Sequence, residues 1–225
     1  EIFSIDGDFD LSRFFFNTEH LHFGYWPDDL IINIDNLKKA QDLHSNQILA
    51  SIPEGVKTIL DVGSGSGGLA EKLVENNYEV ECVSPSSYLS DAIEQKLDSS
   101  VIVHRSTFES FDSQKKYDLI LFSESFQYVN IKKTLNKIPN IIKEKGHLLI
   151  CDFFRQPGTG TKPLGGGHDW GVFEKILSSH EFLELKDIDI TKETARTYDL
   201  ISQILDEVAG PVKDLSAKYF NSHYP

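Results

Sequence analysis

A glycine-rich segment that follows an apolar run constrains the fold of this chain more than any other feature. Ile59–Leu69 reads ILDVGSGSGGL, so a short apolar stretch, typical of a buried strand, passes directly into closely spaced glycines. Glycine is needed where the backbone adopts positive φ angles or where a ligand must touch the main chain. The N–H groups of such a turn and of a following helix favour a polar or anionic part of a ligand. The segment therefore predicts a strand–turn–helix unit that binds a small molecule.

Strand-like and helix-like periodicity alternate along the rest of the chain. The predicted strands are Thr58–Val62, Glu79–Ser84, Val101–His104, Tyr117–Ser123, His147–Phe154 and Leu183–Thr191. The predicted helices are Asp35–Ser51, Gly67–Asn76, Ser86–Leu97, Ile131–Lys145, Asp169–Ser179 and Lys192–Val208. Parallel strands need crossover connections, which helices provide. We therefore predict an α/β fold with a Rossmann-like, mostly parallel sheet and helices on both faces.

The 225 residues are predicted to form a single domain. Residues 1–34 precede the alternation and are aromatic and loop-like, so we expect an N-terminal lid over the sheet. Residues 35–225 would then form the α/β core.

The charge of the chain limits its partners. Lys and Arg number 22 against 35 Asp and Glu, which gives a formal net charge of −13. Binding to nucleic acid or to an anionic membrane surface needs a surplus of basic residues, so neither is expected. The apolar stretches are too short to span a membrane and no leader segment is visible, so we expect a cytoplasmic protein. The two cysteines are too few for a disulfide framework or a cysteine-based zinc site, and no metal is predicted.

Two ligand-binding patterns fit the same glycines. The dinucleotide pattern G-x-G-x-x-G fits Gly63, Gly65 and Gly68, and the pattern D-x-G-x-G-x-G of S-adenosylmethionine (SAM) methyltransferases fits Asp61, Gly63, Gly65 and Gly67. The carboxylate of Asp61 suits the ammonium group of SAM and would repel a pyrophosphate. The next strand ends at Ser84, where a dinucleotide site would carry an acid. Both observations favour SAM, and an NAD(P)-binding oxidoreductase remains the alternative from another class.

The sequence resembles the class I SAM-dependent methyltransferases from about Glu19 to Asp199. Beside the glycine loop, the resemblance rests on three motifs: Glu19–Trp26 (EHLHFGYW), Tyr117–Ser123 (YDLILFS) and Ile142–Ile150 (IKEKGHLLI). It is strongest for the branch that methylates small molecules such as sugars, quinones, tocopherols and glycine derivatives. The resemblance implies a sheet of order 3-2-1-4-5-7-6, with strand seven antiparallel. It also implies methyl transfer from SAM to an oxygen, nitrogen or carbon of a small-molecule acceptor, with S-adenosylhomocysteine (SAH) as product. The alternatives are a cyclopropane-synthase-like or other SAM-using enzyme and a non-catalytic SAM-binding module.

The resemblance also implies which residues hold the cofactor. The methionine part would contact Asp61, Gly63, Ser64, Gly65 and Gly67. The ribose would face Ser84 and Ser86, and the adenine edge would face Thr107 and Phe108. The sulfonium would lie beside Ser123 and Glu124, and the aromatic pair Tyr25 and Trp26 would fold over cofactor and acceptor.

Methyl transfer from a sulfonium is an in-line displacement, so positioning supplies most of the catalysis. A base is needed only if the acceptor holds a proton. His168 is the first choice because it follows three glycines and imidazole is the side-chain group best suited to act as a base near neutral pH. The alternative is that His168 and Asp169 only cap and anchor the following helix. Glu124 is the second catalytic candidate.

The acceptor pocket is expected to involve the N-terminal motif, the end of strand four and the polar run near residue 196. The predicted substrate-binding residues are His20, His22, Tyr128, Arg196 and Tyr198. If Arg196 faces the pocket, an acceptor carboxylate would suit it, and the alternative is an arginine in a surface salt bridge. A homodimer is also considered.

The sequence contains no methionine, even at residue 1. Gly210–Pro225 offers no convincing match to the family's seventh strand. We therefore expect the sequence to be trimmed at both ends, with the C-terminal strand missing.

Overall fold

The computed structural model describes residues 22–158, 167–204, 206 and 207. The chain divides into two compact units. The described part of the first unit comprises Ser45–Asp187 and His22, and that of the second comprises Phe23–His44 and the residues from Ile188 onward. The sequence predicted one domain with a boundary after residue 34. The second compact unit groups residues 23–44 with the C-terminal helix, and the single domain stays a prediction.

The first unit contains a five-stranded parallel sheet, which confirms the predicted fold class. Its strands are β1 (Thr58–Val62), β2 (Glu79–Val83), β3 (Val101–His104), β4 (Tyr117–Ser123) and β5 (Ile142–Cys151). The strand order is β3-β2-β1-β4-β5, and every neighbouring pair is parallel. In the central register, Asp61 lies opposite Cys82 on β2 and Leu121 on β4. The carboxyl ends of all five strands therefore meet at one edge of the sheet.

The described residues also form six α-helices, of which the second, third and fourth connect strands of the sheet. They are α1 (Leu37–Ala50), α2 (Gly68–Glu75), α3 (Ser87–Leu97), α4 (Ile131–Ile141) and α5 (Trp170–Leu177), and a further helix, α6, covers 191–204. Alternate side chains of each strand enter one of two apolar clusters. Leu60 and Phe122 lie in one cluster, and Ile59 and Leu121 lie in the other. Both faces of the sheet are therefore buried, as the continuous apolar runs of β1 and β4 predict.

Three predicted elements need correction. The predicted helix Ile131–Lys145 ends at Ile141, and β5 begins at Ile142 rather than at His147 because Ile142 pairs with Tyr117. The end of β5 is also earlier than predicted, at Cys151. The predicted strand Leu183–Thr191 is wrong, since residues 181–190 form no strand. Leu183 and Leu185 are 83% and 67% exposed, so the alternation of apolar residues there brings no burial.

A second, very short parallel pair follows β5. It joins β6 (Phe154–Arg155) to β7 (His168–Asp169), and it places His168 immediately before α5. Gly210–Pro225, where a seventh strand was sought, lies outside the described residues. No helix among the described residues is both long and apolar enough to cross a membrane.

Candidate functional site

The glycine loop joins the carboxyl end of β1 to α2. Gly63, Gly65 and Gly67 have φ angles of +74°, +55° and +83°, which residues with a side chain rarely adopt. The N–H of Gly63 donates to the Val83 carbonyl at the end of β2 (2.8 Å). A Cβ atom on Gly63 would lie 2.4 Å from that of Ser125, so the loop excludes a side chain there. The structure therefore has the strand–turn–helix unit that the sequence predicts.

Asp61 lies directly below this loop. It is 1% exposed, and its Oδ2 atom accepts no hydrogen bond from any described residue. Burial raises the pKa of Asp61 to about 7, and a hydrogen bond with Ser64 only partly opposes the effect. A buried carboxylate with an unsatisfied oxygen is costly unless a ligand supplies a donor or a positive charge. The chemistry of this position therefore fits the ammonium group of an amino-acid ligand.

Two further acids follow the neighbouring strands. Glu124 comes directly after β4 with a φ angle of +50°, and its N–H donates to the Cys151 carbonyl (2.7 Å). Asp152 comes directly after β5, and its carboxylate accepts hydrogen bonds from backbone N–H groups. Burial raises the pKa of Asp152 to about 6, although those hydrogen bonds oppose the rise. The carboxyl edge of β1, β4 and β5 thus carries three acids, a charge pattern that suits a cationic ligand.

Asp152 was not among the site residues predicted from the sequence. Its position could have indicated it, because Asp152 is the first polar residue after the apolar run of β5. Polar residues at the carboxyl ends of parallel strands commonly face the ligand in open α/β sheets. The backbone contacts of Asp152 depend on the turn after β4, and no local pattern encodes them.

The residues predicted to face the ribose lie at the end of β2. Ser84 is 2% exposed, and its N–H donates to the His104 carbonyl (3.0 Å). The Ser86 hydroxyl caps α3 by accepting the Leu89 N–H (3.1 Å). The cap occupies the Ser86 side chain in the structure, and a ribose contact there remains a prediction.

The residues predicted for the adenine edge have different surroundings. Thr107 is exposed, and its hydroxyl lies 3.2 Å from that of Ser110. Phe108 is 2% exposed and packs edge-on against Phe122 at 5.3 Å between ring centres. Its ring belongs to the apolar core, so any adenine contact of Phe108 has to come from its backbone.

His168 is held in one orientation by its surroundings. Its Nε2 atom lies 2.9 Å from the Phe126 carbonyl oxygen, and the two rings pack edge to face at 5.6 Å. A carbonyl only accepts, so Nε2 carries the proton and Nδ1 of the neutral ring keeps a lone pair. Asp169 caps α5 by accepting the Val172 N–H (3.0 Å). Asp169 therefore caps α5 and His168 is anchored to Phe126, and a role of His168 as base stays a prediction.

The other predicted site residues, at the end of β4 and in the N-terminal motif, differ in solvent exposure. Ser123, at the end of β4, pairs with Cys151 and is partly exposed. Tyr128 is 73% exposed. His22 is partly exposed, and His20 lies outside the described residues.

The second unit contains the other predicted lid and substrate residues. Trp26 is fully buried and donates its indole N–H to the Thr197 hydroxyl (3.0 Å). The Arg196 guanidinium donates to the carbonyls of Trp26 and Pro27 and pairs with Asp28 at 2.9 Å. These contacts lie within the second unit, and a role of Trp26 or Arg196 in ligand binding stays a prediction.

The aromatic neighbours in the second unit make lighter contacts. The Tyr25 N–H donates to the Ala40 carbonyl (2.8 Å) and its side chain is partly exposed. Tyr198 is 57% exposed and packs edge-on against Phe23 at 4.9 Å. Both remain candidates for ligand contact.

A buried polar cluster around Glu81 on β2 was also not predicted from the sequence. Glu81 bonds to His104 Nε2 (2.6 Å), Lys115 Nζ (2.6 Å) and the Tyr117 hydroxyl (2.8 Å). Although burial alone would raise it, these hydrogen bonds lower the pKa of Glu81. His104 lies on β3, Tyr117 begins β4 and Lys115 lies just before it, so the cluster links β2 to β3 and to the start of β4.

Comparison with known proteins agrees with this geometry. Residues 35–175 match the sequence model of a methyltransferase domain. The ubiquinone biosynthesis O-methyltransferase of Rickettsia bellii is 23% identical over 223 residues, covering 90% of each chain. A solved geranyl diphosphate C-methyltransferase from Streptomyces coelicolor, in complex with Mg²⁺, geranyl diphosphate and SAH, has a TM-score of 0.72 at 16% identity and covers 90% of this chain and 88% of its own.

A mycolic acid cyclopropane synthase solved with SAH has a TM-score of 0.73 at 19% identity and covers 98% of this chain and 88% of its own. At these identities the solved structures show a common fold. The domain match favours the SAM pattern of the glycine loop over the dinucleotide pattern.

Proposed function

This chain belongs to the methyltransferase-domain family of class I SAM-dependent enzymes, and we propose that it methylates a hydroxyl oxygen of a small-molecule acceptor with His168 as general base. The observation that carries the proposal is the orientation of His168. Its Nε2–H is committed to the Phe126 carbonyl, so Nδ1 is the atom that can accept a proton. The similarity to an O-methyltransferase over 90% of both chains supports an oxygen acceptor.

The residues of the glycine loop fit SAM. Asp61 has an unsatisfied, buried oxygen that an ammonium group would complete, and Gly63 lacks the side chain that would close the loop. SAM supplies a methyl group on a positively charged sulfur. Asp61 would hold the ammonium, and Glu124 would lie on the acceptor side of the cofactor.

The chain's own residues then have two tasks in the reaction. The carboxyl edge of the sheet would hold acceptor and cofactor in line, which supplies most of the rate. His168 Nδ1 would take the hydroxyl proton as the acceptor oxygen gains its methyl group. The net charge of −13 and the three acids at this edge disfavour an anionic acceptor. A neutral or cationic hydroxyl compound therefore fits best.

A cytoplasmic location accords with Cys82 and Cys151, which form no disulfide. The formal net charge of −13 disfavours a nucleic-acid partner. A homodimer stays a prediction.

A screen with methyl-labelled SAM tests the acceptor class. The panel contains phenol, catechol, glucose, glycine and an unsaturated phospholipid, and we expect label on a hydroxyl compound. Transfer only to the amine would contradict an oxygen acceptor, and a cyclopropane product from the lipid would favour the cyclopropane-synthase alternative.

The base is tested with His168→Ala. We expect kcat to fall by about 10²- to 10⁴-fold, with SAH affinity measured by calorimetry little changed. His180→Ala is the matched control, because His180 also bonds a backbone carbonyl, that of Ile176 (2.9 Å), but at the far end of α5. Full turnover in His168→Ala would show that His168 is not the base.

A further inference from the structure

Asp152 connects the end of β5 to a turn that follows β4. Its Oδ2 atom accepts the Gln127 N–H (2.9 Å), and its Oδ1 atom accepts the Phe153 N–H (2.7 Å). Gln127 belongs to a short 3₁₀ turn, Phe126–Tyr128, whose first N–H groups have no partner within the turn. A carboxylate placed there satisfies those groups and interacts favourably with their dipoles. Asp152 therefore acts as a cap supplied by a neighbouring strand.

The whole turn after β4, residues 124–128, includes this 3₁₀ turn and needs such an anchor because its first residue, Glu124, has a disfavoured backbone. Glu124 adopts a φ angle of +50°, in the left-handed region that residues with a side chain rarely occupy. Its N–H donates to the Cys151 carbonyl (2.7 Å). Two successive residues at the end of β5, Cys151 and Asp152, thus hold the turn at Glu124 and at Gln127. Strained backbone of this kind persists only where the surroundings fix it, and it is common at functional sites.

Two contacts lead from this turn to the proposed site. The Ser125 hydroxyl donates to the Val62 carbonyl (2.5 Å), immediately before the glycine loop. The Phe126 carbonyl accepts Nε2–H of His168 (2.9 Å). A chain of hydrogen bonds therefore leads from the Asp152 carboxylate, through the backbone of the turn, to the imidazole.

We propose that Asp152 is a positioning residue, which holds the turn after β4 so that the Phe126 carbonyl orients His168 for proton transfer. The inference rests on the proposed role of His168 as base. Both Asp152 oxygens accept backbone N–H groups, and these contacts are the ones through which Asp152 holds the turn. Its pKa of about 6 means that at pH 8 the carboxylate is ionised and both oxygens can accept.

A double-mutant cycle tests the inference. We measure kcat at pH 8, with saturating SAM and the best hydroxyl acceptor of the panel, for the unmodified enzyme, Asp152→Asn, His168→Ala and the double variant. In Asp152→Asn the amide nitrogen only donates, so one of the two backbone N–H groups loses its acceptor. We expect a kcat loss of about tenfold in the unmodified background and less than about twofold in the His168→Ala background, because residues that act as a unit are not additive. SAH affinity should stay within about threefold.

A matched control separates positioning from general stabilisation. Asp118 also accepts backbone N–H groups, from Thr58 (2.9 Å) and Lys57 (3.2 Å), at the opposite end of the sheet. Asp118→Asn should lower the melting temperature without changing kcat. Gln127→Pro removes the donor side of the Asp152 bond, and it provides a second route to the same cycle if Asp152→Asn does not fold.

Two results would overturn the inference. One is an equal loss of kcat from Asp152→Asn with and without His168, which would mean that Asp152 acts independently of the imidazole. The other is an unchanged kcat in the folded variant. The His168→Ala single variant tests whether His168 is the base. Full turnover in that variant would contradict the proposed function, whatever the result for Asp152→Asn.

Discussion

Replacing Asp61 by asparagine should stabilise the ligand-free protein while weakening its binding of SAM. Burial raises the pKa of Asp61 to about 7, and its Oδ2 atom accepts no hydrogen bond from the described residues. In the unfolded chain the same carboxyl ionises near pH 4. The folded protein therefore binds this proton more tightly. The contribution of protonated Asp61 to the free energy of unfolding is fully present below about pH 4 and is lost as the pH rises through about 7.

These pKa values give the size of the effect. Relative to a side chain that stays neutral, ionisation of the Asp61 carboxyl costs the folded state about 4 kcal/mol at pH 8, about 1.5 kcal/mol at pH 5 and almost nothing at pH 3. Asparagine cannot ionise and so avoids this cost. We expect Asp61→Asn to gain about 2–4 kcal/mol at pH 8, which is roughly 5–15 °C in melting temperature for a chain of this length. At pH 5 the gain should fall to about a third of its value at pH 8.

The same variant should lose ligand affinity. A hydrogen bond to a charged group contributes about 1.5–3 kcal/mol, so SAH binding should weaken about 10- to 100-fold. Thermal unfolding with and without SAH, at pH 8 and pH 5, measures both effects. A lower melting temperature for Asp61→Asn at pH 8, a gain that does not depend on pH, or an unchanged SAH affinity would each refute the reasoning.

Asp118→Asn is the control of opposite sign. Although burial alone would raise it, hydrogen bonds from Lys143, Thr58 and Lys57 hold the pKa of Asp118 well below its usual range. Its contribution to stability is therefore present above about pH 4 and is lost as the pH falls below that value. Asp118→Asn should destabilise the protein at pH 8 and leave SAH affinity unchanged.

Two further variants test the loops beside the predicted cofactor edge. Gly63→Ala should destabilise the protein by about 2–4 kcal/mol and reduce SAH binding, because the left-handed backbone is strained and the new Cβ meets Ser125. Gly55→Ala is its matched control, since Gly55 has a φ angle of +85° but nothing within 4 Å of an added Cβ, so it should cost only about 1–2 kcal/mol and leave binding intact. The Lys137 ammonium donates to three backbone carbonyls within residues 108–111, next to the predicted adenine edge. Lys137→Met removes this donor and should weaken SAH binding severalfold, as measured by calorimetry. Unchanged SAH binding would mean that Lys137 does not support the adenine site.

Local chemistry explains what could be predicted from the sequence. β1, β3 and β4 have the predicted bounds because each is a short apolar run that stops at polar or turn-forming residues. The glycine loop was recognisable because its backbone angles exclude other residues at Gly63 and Gly67. Asp61 followed from its place in the same motif.

Tertiary context explains what could not be predicted. Leu183–Thr191 has the alternating pattern of a strand, but Leu183 and Leu185 remain exposed, so the pattern does not bury apolar surface. Residues near 142–146 form a strand rather than the end of a helix because Ile142 pairs with Tyr117. The role of Asp152 depends on its hydrogen bond to a turn that lies 25 residues away along the chain. Pattern within a short window does not carry such information.

The SAM site at the glycine loop is the central claim, and a calorimetric titration of the unmodified protein tests it most directly. SAH and NADH are titrated separately at pH 8, where Asp61 is mostly ionised. We expect one SAH to bind per chain and NADH to give no binding heat. Binding of NADH without binding of SAH would contradict the claim.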